Sequence, residues 1–284
     1  MARQQTIKHP VSVTGKGLHS GKPVQMCLKP APSDTGIVFR RVDLEPPVDI
    51  RVDARKIEPA PLCTLLVDHD VKVATIEHLM AALATLEIDN IIVELDAAEV
   101  PVMDGSSAPL IFILESAGIR RQQLSRHVIE VKKPVRVEDG DCYAELLPSK
   151  ELRFTISIDF EHPAIASTSQ SIDFIYSPMA FIKEVSRART FGFLKDLKKL
   201  HKQGLALGGG LDNAVGLDDK KVMNPEGLRY SDEFVKHKLL DAVGDLYVAG
   251  PILGHYQAHK PSHRLNNQLI QKLLRSYSAW RETS

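Results

Sequence analysis

The chain of 284 residues has few cysteines, no net charge and no long apolar run. Its three cysteines, Cys27, Cys63 and Cys142, are far apart and odd in number, which favours a reducing compartment over a disulfide framework. No CxxC pair occurs, so thiolate metal motifs are excluded. Any metal site must therefore use His, Asp or Glu, and eleven histidines supply candidates.

The charge balance and the hydropathy pattern exclude further classes. Thirty-six basic residues balance thirty-six acidic ones, so no global charge draws the chain to nucleic acid. No stretch approaches the ~18 to 20 apolar residues of a membrane-spanning helix. The first ten residues contain no apolar segment of the signal-peptide type. We therefore expect a soluble, cytoplasmic protein with no nucleic-acid partner and no transmembrane segment.

The segment 233–246 carries the first functional signal. Its apolar residues recur at helical spacing, which predicts one packed face. On the other face His237 and Asp241 are four residues apart, and Asp245 follows one turn later. An imidazole and a carboxylate on one rigid helix can ligate a metal ion, although the same pair is also typical of a surface ion pair. A further ligand has to come from another element.

A second helix, predicted to begin after Thr75 as its N-cap, offers that ligand. Glu77 lies in its first turn, and the neighbouring His78 should be neutral near a helix N-terminus. With His237 and Asp241 this makes two imidazoles and one carboxylate, enough for a catalytic zinc with an open position. Glu77 would then be the general base for a metal-activated water.

The order of predicted elements repeats along the chain. Each half reads as strands followed by helix, strand and helix, and the polar segment 120–126 is predicted to link the halves. The fold class is therefore predicted to be α+β. We expect two similar domains, residues 1–125 and 126–284, each a β-sheet covered by two α-helices.

Further candidates lie in predicted loops. His263, between a strand and a helix, could donate a proton to a leaving group if Asp245 holds it protonated. Thr190 could donate its hydroxyl to a developing oxyanion. The glycine-rich turn 15–21 is predicted to be an exposed hairpin loop that presents His19. Each of these residues, taken alone, is also typical of an ordinary turn or surface position.

Nine short motifs stand in order along the chain. They are Gly17-Leu-His-Ser-Gly21, Ala74-Thr-Ile-Glu-His-Leu79, Val102-Met-Asp-Gly-Ser106, Arg189-Thr-Phe-Gly192, Leu207-Gly-Gly209, Asn224-Pro-Glu-Gly-Leu-Arg229, Glu233-Phe-Val-Lys-His-Lys-Leu-Leu-Asp-Ala242, Gly244-Asp-Leu246 and His263-Arg-Leu-Asn266. Together they closely resemble the zinc-dependent UDP-3-O-acyl-N-acetylglucosamine deacetylase family of lipid A biosynthesis. The resemblance runs from about residue 5 to residue 275.

This resemblance implies hydrolysis of the N-acetyl group of UDP-3-O-[(3R)-3-hydroxyacyl]-N-acetylglucosamine. Acetate would be released in the committed step of lipid A biosynthesis in Gram-negative bacteria. His78, His237 and Asp241 are implied to be the zinc ligands, with Fe²⁺ as an alternative metal. Glu77 is implied to be the general base, and His263 the electrostatic catalyst or general acid.

The resemblance also implies supporting roles. Asp245 would support the general acid, and Thr190 would stabilise the oxyanion. Lys238 and Phe191 match substrate-contacting positions, and His19 lies in a motif that lines the family's active site.

The implied fold is two stacked α+β domains with a small insert in each, and the protein is implied to be a monomer. The second insert, about residues 193–222, would form an apolar passage for the acyl chain. Cys63 matches a position near the metal that can take part in binding excess inhibitory zinc. Pro261 and Ser262 stand where the family commonly has Ser-Gly, which leaves the backbone geometry before His263 open.

Two other functions remain open from the residues alone. Two histidines and a carboxylate also form the facial triad of non-haem Fe(II) oxygenases, although a base beside the ligands favours hydrolysis. A non-catalytic module that binds a nucleotide sugar around a closed, structural metal site would not need Glu77.

Overall fold

The computed structural model describes residues 2–60 and 62–283. Within them the chain forms seven α-helices, twenty strands and a 3-10 helix at Ala54–Lys56, which confirms the mixed α+β class. The helices are α1 (Glu77–Thr85), α2 (Ala108–Ser116), α3 (Pro163–Ala166), α4 (Pro178–Glu184), α5 (Leu194–Lys202), α6 (Glu233–Tyr247) and α7 (His263–Arg275). None of these helices is long and apolar enough to cross a membrane.

The strands are numbered in chain order. Those of the first half are β1 (Arg3–Ile7), β2 (Val11–Lys16), β3 (Pro23–Pro30), β4 (Ile37–Arg41), β5 (Val48–Arg51), β6 (Ile57–Ala60), β7 (Cys63–Asp68), β8 (Val71–Val73), β9 (Ile91–Leu95) and β10 (Ile119–Ser125). Those of the second half are β11 (Val128–Val131), β12 (Val135–Asp139), β13 (Cys142–Leu147), β14 (Arg153–Ser157), β15 (Ser171–Ile175), β16 (Phe191–Phe193), β17 (Val215–Leu217), β18 (Ile252–Leu253), β19 (His255–His259) and β20 (Trp280–Thr283).

Two five-stranded sheets have matching strand orders. The first runs β2-β3-β9-β4-β5 and the second β12-β13-β19-β14-β15. The middle strand of the first sheet, β9, is parallel to β4, and the middle strand of the second, β19, is parallel to β14. The other three pairs in each sheet are antiparallel. The register is equivalent as well, since buried Phe39 pairs with Val93 in the first sheet and buried Phe154 with Tyr256 in the second.

The helices lie between and beside these sheets. In the second half α6 packs on β14 and β15, and α7 packs on β12 and β13. In the first half α2 packs on β2 and on α1, whose residues are all buried. One cluster of buried apolar side chains extends through both halves, so the two sheets share a continuous core.

Helices α1 and α6 approach each other so closely that their backbones touch. A Cβ atom at Gly244 would lie 2.0 Å from the carbonyl oxygen of Glu77 and 3.1 Å from the amide nitrogen of Ala81. Only glycine therefore fits at this position of α6. The contact places the first turn of α1 directly beside the C-terminal half of α6.

The polar segment 120–126 was predicted to be a linker, and this prediction was wrong. Most of it forms β10, which pairs antiparallel with β1, Thr6 lying opposite Arg120 and Gln5 opposite Arg121. Its side chains are half-buried or exposed along the whole strand. A strand that buries neither face shows no apolar alternation, and the backbone pairing leaves no trace in the sequence.

The predicted N-cap of α1 was also wrong. Thr75 has a left-handed backbone with φ of 59°, and Ile76 stands at the N-cap position without a side-chain hydrogen bond. The Thr75 hydroxyl instead donates to Glu99 Oε1 at 3.1 Å. The Thr75 hydroxyl therefore binds a carboxylate from another part of the chain instead of capping α1.

His263 lies in the first turn of α7 rather than in a loop. Ser262 is the N-cap, and its hydroxyl accepts a hydrogen bond from the Leu265 amide at 3.2 Å. The backbone of Ser262 is extended, with φ of −135°, which any residue can adopt. Replacement of a glycine there brings no strain, and Pro261 precedes the helix without interrupting it.

Replacing Gly244 with alanine should destabilise the protein, because backbone atoms of α1 cannot rotate away from the added Cβ. We expect a loss of about 1–3 kcal/mol in the free energy of unfolding, although alanine is the better helix former by about 1 kcal/mol. The midpoint of urea unfolding measures this change. Gly192→Ala is the control, since a Cβ there meets no atom within 4 Å. An unchanged midpoint for Gly244→Ala would contradict the helix contact.

Candidate metal centre

Three buried side chains meet where α1 touches α6. His78 projects from α1, and His237 and Asp241 from successive turns of α6. The Oδ1 atom of Asp241 lies 3.6 Å from His78 Nε2 and 3.4 Å from His237 Nε2. One ligand atom from each residue lies within 4.8 Å of the other two. These three atoms can converge on a single metal ion.

The hydrogen bonds of these groups suit metal ligands. His237 Nδ1 lies 3.0 Å from the Ala188 carbonyl oxygen, so it carries the proton and leaves Nε2 with a free lone pair. Burial lowers the pKa of His237 to about 3, which keeps the ring neutral. Asp241 Oδ1 is buried and has no hydrogen-bond partner among the described residues. An unpaired buried carboxylate oxygen between two imidazole nitrogens fits a bound Zn²⁺.

The carboxylate of Asp241 is held in its ionised form. Burial acts to raise its pKa, but the neighbouring His237, Lys238 and His263 groups hold that pKa well below the usual range. Of these three, Lys238 and His263 carry the charge, because His237 is neutral. Lys238 Nζ donates to Asp241 Oδ2 at 2.7 Å. One oxygen of Asp241 is thus paired with a cation, and the other is free for the metal.

A buried carboxylate and a buried imidazole flank the three ligands. Glu77 is 2% exposed, and burial raises the pKa of its carboxyl group. Its Oε2 accepts a hydrogen bond from the Thr64 amide at 3.0 Å. Its Oε1 lies 4.0 Å from His263 Nε2, and the same nitrogen lies 4.0 Å from Asp241 Oδ2. His263 therefore sits between the base candidate and a ligand candidate.

Asp245 fixes the orientation and the charge of His263. The Nδ1–H of His263 donates to Asp245 Oδ2 at 2.9 Å, and Asn266 Nδ2 donates to the same oxygen at 2.8 Å. The Thr64 hydroxyl donates to the other oxygen of Asp245. Burial opposes protonation of His263, but the surrounding carboxylates, with Asp245 foremost, outweigh burial and raise its pKa to about 10. His263 is thus an imidazolium that directs Nε2–H toward the metal centre.

The segment around Thr190 borders the centre beside α6. The Thr190 amide donates to the Gly105 carbonyl at 2.9 Å, which ties this segment to the first half. The Phe191 ring stands edge-on to the His237 ring with centroids 6.3 Å apart. Lys238 Nζ lies 5.8 Å from the Phe191 centroid, within the range of a cation–π contact.

A buried ion pair anchors the same segment to α6. Arg189 is 1% exposed, and its backbone N–H and Nε–H donate to Glu233 Oε1 at 3.0 and 2.9 Å. The Arg229 amide donates to the other oxygen of Glu233 at 2.6 Å. Glu233 is the first residue of α6, so this pair holds the Ala188 carbonyl in register with His237.

His19 was predicted to be exposed, and it is instead buried, with 7% of its surface accessible. The amides of His19 and Ser20 donate to the buried Glu99 at 2.7 and 2.9 Å, which draws the loop inward. Burial lowers the pKa of His19. Cys63 is buried beside the site, and burial, followed by the charge of Glu77, raises the pKa of its thiol to about 12.

Several groups that contribute to the site were not predicted from the sequence. Asn266 stood in one of the nine motifs, and its spacing of three residues from His263 could have indicated a shared partner on a helix. Thr64 and Glu99 lie far along the chain from the residues that they contact. The Ala188 carbonyl is a backbone group and has no residue-type signal at all.

Water activation is the chemistry that this set of groups serves best. Two imidazoles and a carboxylate can bind a divalent metal, a buried carboxylate can take a proton, and an imidazolium can stabilise a negative charge or donate a proton. Such a centre between two helices of an α+β fold is that of a metal-dependent hydrolase.

Comparison with known proteins agrees with this class. A family model described as LpxC, UDP-3-O-acyl N-acetylglycosamine deacetylase, matches residues 4–275. The chain is 55% identical over 282 residues to the UDP-3-O-acyl-N-acetylglucosamine deacetylase of Idiomarina loihiensis, covering 99% of this chain and 92% of the relative. Its identity to the deacetylase of Vibrio parahaemolyticus is 51% over 286 residues, covering 100% and 94%. The chain therefore belongs to the LpxC family of UDP-3-O-acyl-N-acetylglucosamine deacetylases.

Removing one ligand should empty the metal centre. We expect His237→Ala to lower the affinity for Zn²⁺ by more than about 100-fold, because loss of even an outer partner of a metal ligand costs 10- to 100-fold. Competition with a chromogenic chelator measures this affinity. His69→Ala is the control, since the side chain of His69 is 94% exposed. Equal zinc affinity in both variants would contradict the assignment of His237 as a ligand.

Proposed function

We propose that this protein hydrolyses the N-acetyl group of UDP-3-O-[(3R)-3-hydroxyacyl]-N-acetylglucosamine and releases acetate, in the committed step of lipid A biosynthesis. The proposal is carried by the position of His263 Nε2, 4.0 Å from Glu77 Oε1 and 4.0 Å from Asp241 Oδ2. The proposed acid therefore lies equally close to the proposed base and to a proposed metal ligand. Family membership supports the substrate class. We further propose that the protein acts in the cytoplasm as a monomer.

Zn²⁺ is the proposed cofactor, held by His78, His237 and Asp241. Fe²⁺ is an alternative that the same nitrogen and oxygen ligands accept. When bound, the metal would polarise the acetyl carbonyl as a Lewis acid and lower the pKa of a water molecule. Three protein ligands leave room for water and substrate beside it.

Glu77 is proposed to be the general base. As the oxygen of water attacks the acetyl carbon, Glu77 Oε1 would take the proton from that water. Its other oxygen stays hydrogen-bonded to the Thr64 amide, which keeps the carboxylate in place. A buried carboxyl group with a raised pKa binds a proton more readily than an exposed one, which suits a base that must take a proton from water.

His263 is proposed to be the electrostatic catalyst and general acid. Its positive charge, sustained by Asp245, would stabilise the oxyanion that forms as water adds to the carbonyl carbon. The C–N bond then breaks and the departing amine needs a proton, which His263 Nε2 or the newly protonated Glu77 would supply. The Thr190 hydroxyl is proposed to donate a further hydrogen bond to the oxyanion.

The residues around the centre are proposed to bind the substrate. Lys238 would contact sugar or phosphate oxygens, and the Phe191 ring, packed on Phe234 at 5.1 Å, would line the pocket. His19 would contact the substrate from the opposite loop. Cys63, a protonated thiol next to Glu77, would take part in binding excess inhibitory zinc.

The segment 193–222 is proposed to form the passage that holds the acyl chain. This segment contains α5, which has no buried residue, and it ends beyond β17, the parallel partner of β16. Leu194 and Leu207 are 49% and 50% exposed. Exposed apolar side chains offer the surface that an acyl chain requires. The Leu207 amide donates to the His19 carbonyl at 3.1 Å, which joins this segment to the loop of His19.

The domain organisation is proposed to be a duplication. Residues 1–125 and 126–284 would form two stacked domains, each a β-sheet layered against two α-helices. The matching strand orders of the two five-stranded sheets support this division. The small β6-β7-β8 sheet would be the insert of the first domain, and residues 193–222, which contain α5 and β17, would be that of the second.

Neutralising Glu77 without changing its size should abolish most turnover. In Glu77→Gln the amide oxygen can still accept from the Thr64 amide, so we expect metal content to remain while acetate release falls at least about 100-fold. Acetate release from the UDP-sugar substrate and the zinc-to-protein ratio are measured together. Glu115→Gln, at an exposed position of α2, is the control. Unchanged turnover in Glu77→Gln would rule out its role as the base.

His263 should remain protonated well above neutral pH in the metal-free protein. Its pKa is raised to about 10, so the ring loses its proton only in alkaline solution. Asp245→Asn should lower this pKa by about 1–3 pH units, since an adjacent opposite charge shifts a pKa by that much. Titration of the ring resonances by NMR measures both values, with the exposed Asp219→Asn as control. A His263 pKa near 6.5 in the wild type would contradict the imidazolium assignment.

A further inference from the structure

The buried carboxylate of Glu99, which lies outside the metal centre, binds both the loop of His19 and the segment that leads into α1. Glu99 is 3% exposed and accepts three hydrogen bonds within the described residues. They come from the His19 amide at 2.7 Å, the Ser20 amide at 2.9 Å and the Thr75 hydroxyl at 3.1 Å. No cationic side chain is paired with it in the described structure. Backbone amides thus take the place of a counter-ion.

The loop that binds Glu99 is shaped around its carboxylate. A Cβ atom at Gly17 would lie 2.2 Å from Glu99 Oε2 and 2.7 Å from its carboxyl carbon. The Gly21 amide donates to the Gly17 carbonyl at 3.1 Å, which closes the loop. Position 17 therefore favours glycine because this carboxylate lies so close to it, and not only because the chain turns there.

The same carboxylate also holds the entry to α1. Glu99 pairs with Ala74 in an isolated parallel bridge, and its Oε1 binds the Thr75 hydroxyl. Thr75 has a left-handed backbone with φ of 59°, a conformation that needs support from outside the residue. Glu77 follows two residues later.

The side chain of His19 is placed for a contact that the protein itself does not satisfy. Its Nδ1 accepts from the Ala206 amide at 3.4 Å, so the proton of a neutral ring lies on Nε2. Nε2 is buried and makes no hydrogen bond within the described residues, although the Leu62 backbone lies close enough to the ring to act on its pKa. Glu99 binds both the His19 amide and the Thr75 hydroxyl, and Thr75 lies two residues before Glu77, which places the loop of His19 beside the first turn of α1.

We propose that Glu99 is a positioning residue for His19. By binding the two loop amides it fixes the backbone so that His19 Nε2–H donates to an oxygen of the acylated sugar substrate. Glu99 itself does not touch the substrate. The identity of the substrate in this inference rests on the proposed deacetylase function, whereas the loop geometry does not depend on it.

A double-mutant cycle tests the proposal. The amides of His19 and Ser20 bind different oxygens of Glu99, so in Glu99→Gln an amide NH₂ faces one of these two N–H donors. We therefore expect kcat/KM to fall at least about tenfold, as for loss of charge-assisted hydrogen bonds. His19→Ala should cause a similar fall. In the double variant the two losses should not multiply, because both act through the same contact. The zinc content should stay at the wild-type ratio in all three variants.

Two further variants separate positioning from general destabilisation. Glu99→Asp keeps the charge on a shorter side chain and should recover part of the activity that Glu99→Gln loses. Glu94→Gln changes a carboxylate of β9 that is paired with Lys29, and it should leave kcat/KM unchanged. Multiplicative losses in the double variant, or loss of zinc from Glu99→Gln, would overturn the assignment to His19.

A readout without substrate separates this inference from the proposed function. The amide protons of His19 and Ser20 should be protected from hydrogen exchange in the wild type and should lose that protection in Glu99→Gln. If the wild type released no acetate, the deacetylase function would fail while the exchange result still decided the loop geometry. Equal protection in wild type and Glu99→Gln would overturn the positioning role.

Discussion

The backbone contact between α1 and α6 is the constraint on which the active centre depends. His78 belongs to one helix, and His237 and Asp241 to the other, so the separation of the helix axes sets the size of the metal site. Gly244 permits that separation by presenting no side chain to the carbonyl of Glu77. Because each helix is embedded in a core shared by both sheets, the separation is held by packing on every side.

The charges enclosed at this contact do not cancel. Three buried carboxylates, Glu77, Asp241 and Asp245, face two cations, Lys238 and His263. The excess of negative charge in a low-dielectric site is relieved either by a proton on Glu77, whose pKa is raised, or by a bound cation. A divalent ion at Asp241 would therefore ease ionisation of Glu77, so that the proposed metal and the proposed base would support each other.

Local patterns made the proposed metal ligands predictable, whereas contacts between residues distant in sequence could not be predicted. His237 and Asp241 are four residues apart on a segment whose apolar residues recur at helical spacing, and the predicted segment 233–246 lies within α6. Strand β10 was missed because both of its faces are polar or half-exposed. Glu99 was missed because its partners lie about 80 residues away and are mainly backbone amides.

The hydrogen bond between His237 Nδ1 and the Ala188 carbonyl has a consequence for how the site tolerates change. Since the acceptor is a main-chain atom, no side-chain replacement at position 188 can delete it. The tautomer of His237 can be altered only by moving the backbone. That backbone is held by the buried Arg189–Glu233 pair, so the tautomer of His237 that would bind a metal through Nε2 is secured by a guanidinium whose hydrogen bonds go to Glu226, Gly227 and Glu233.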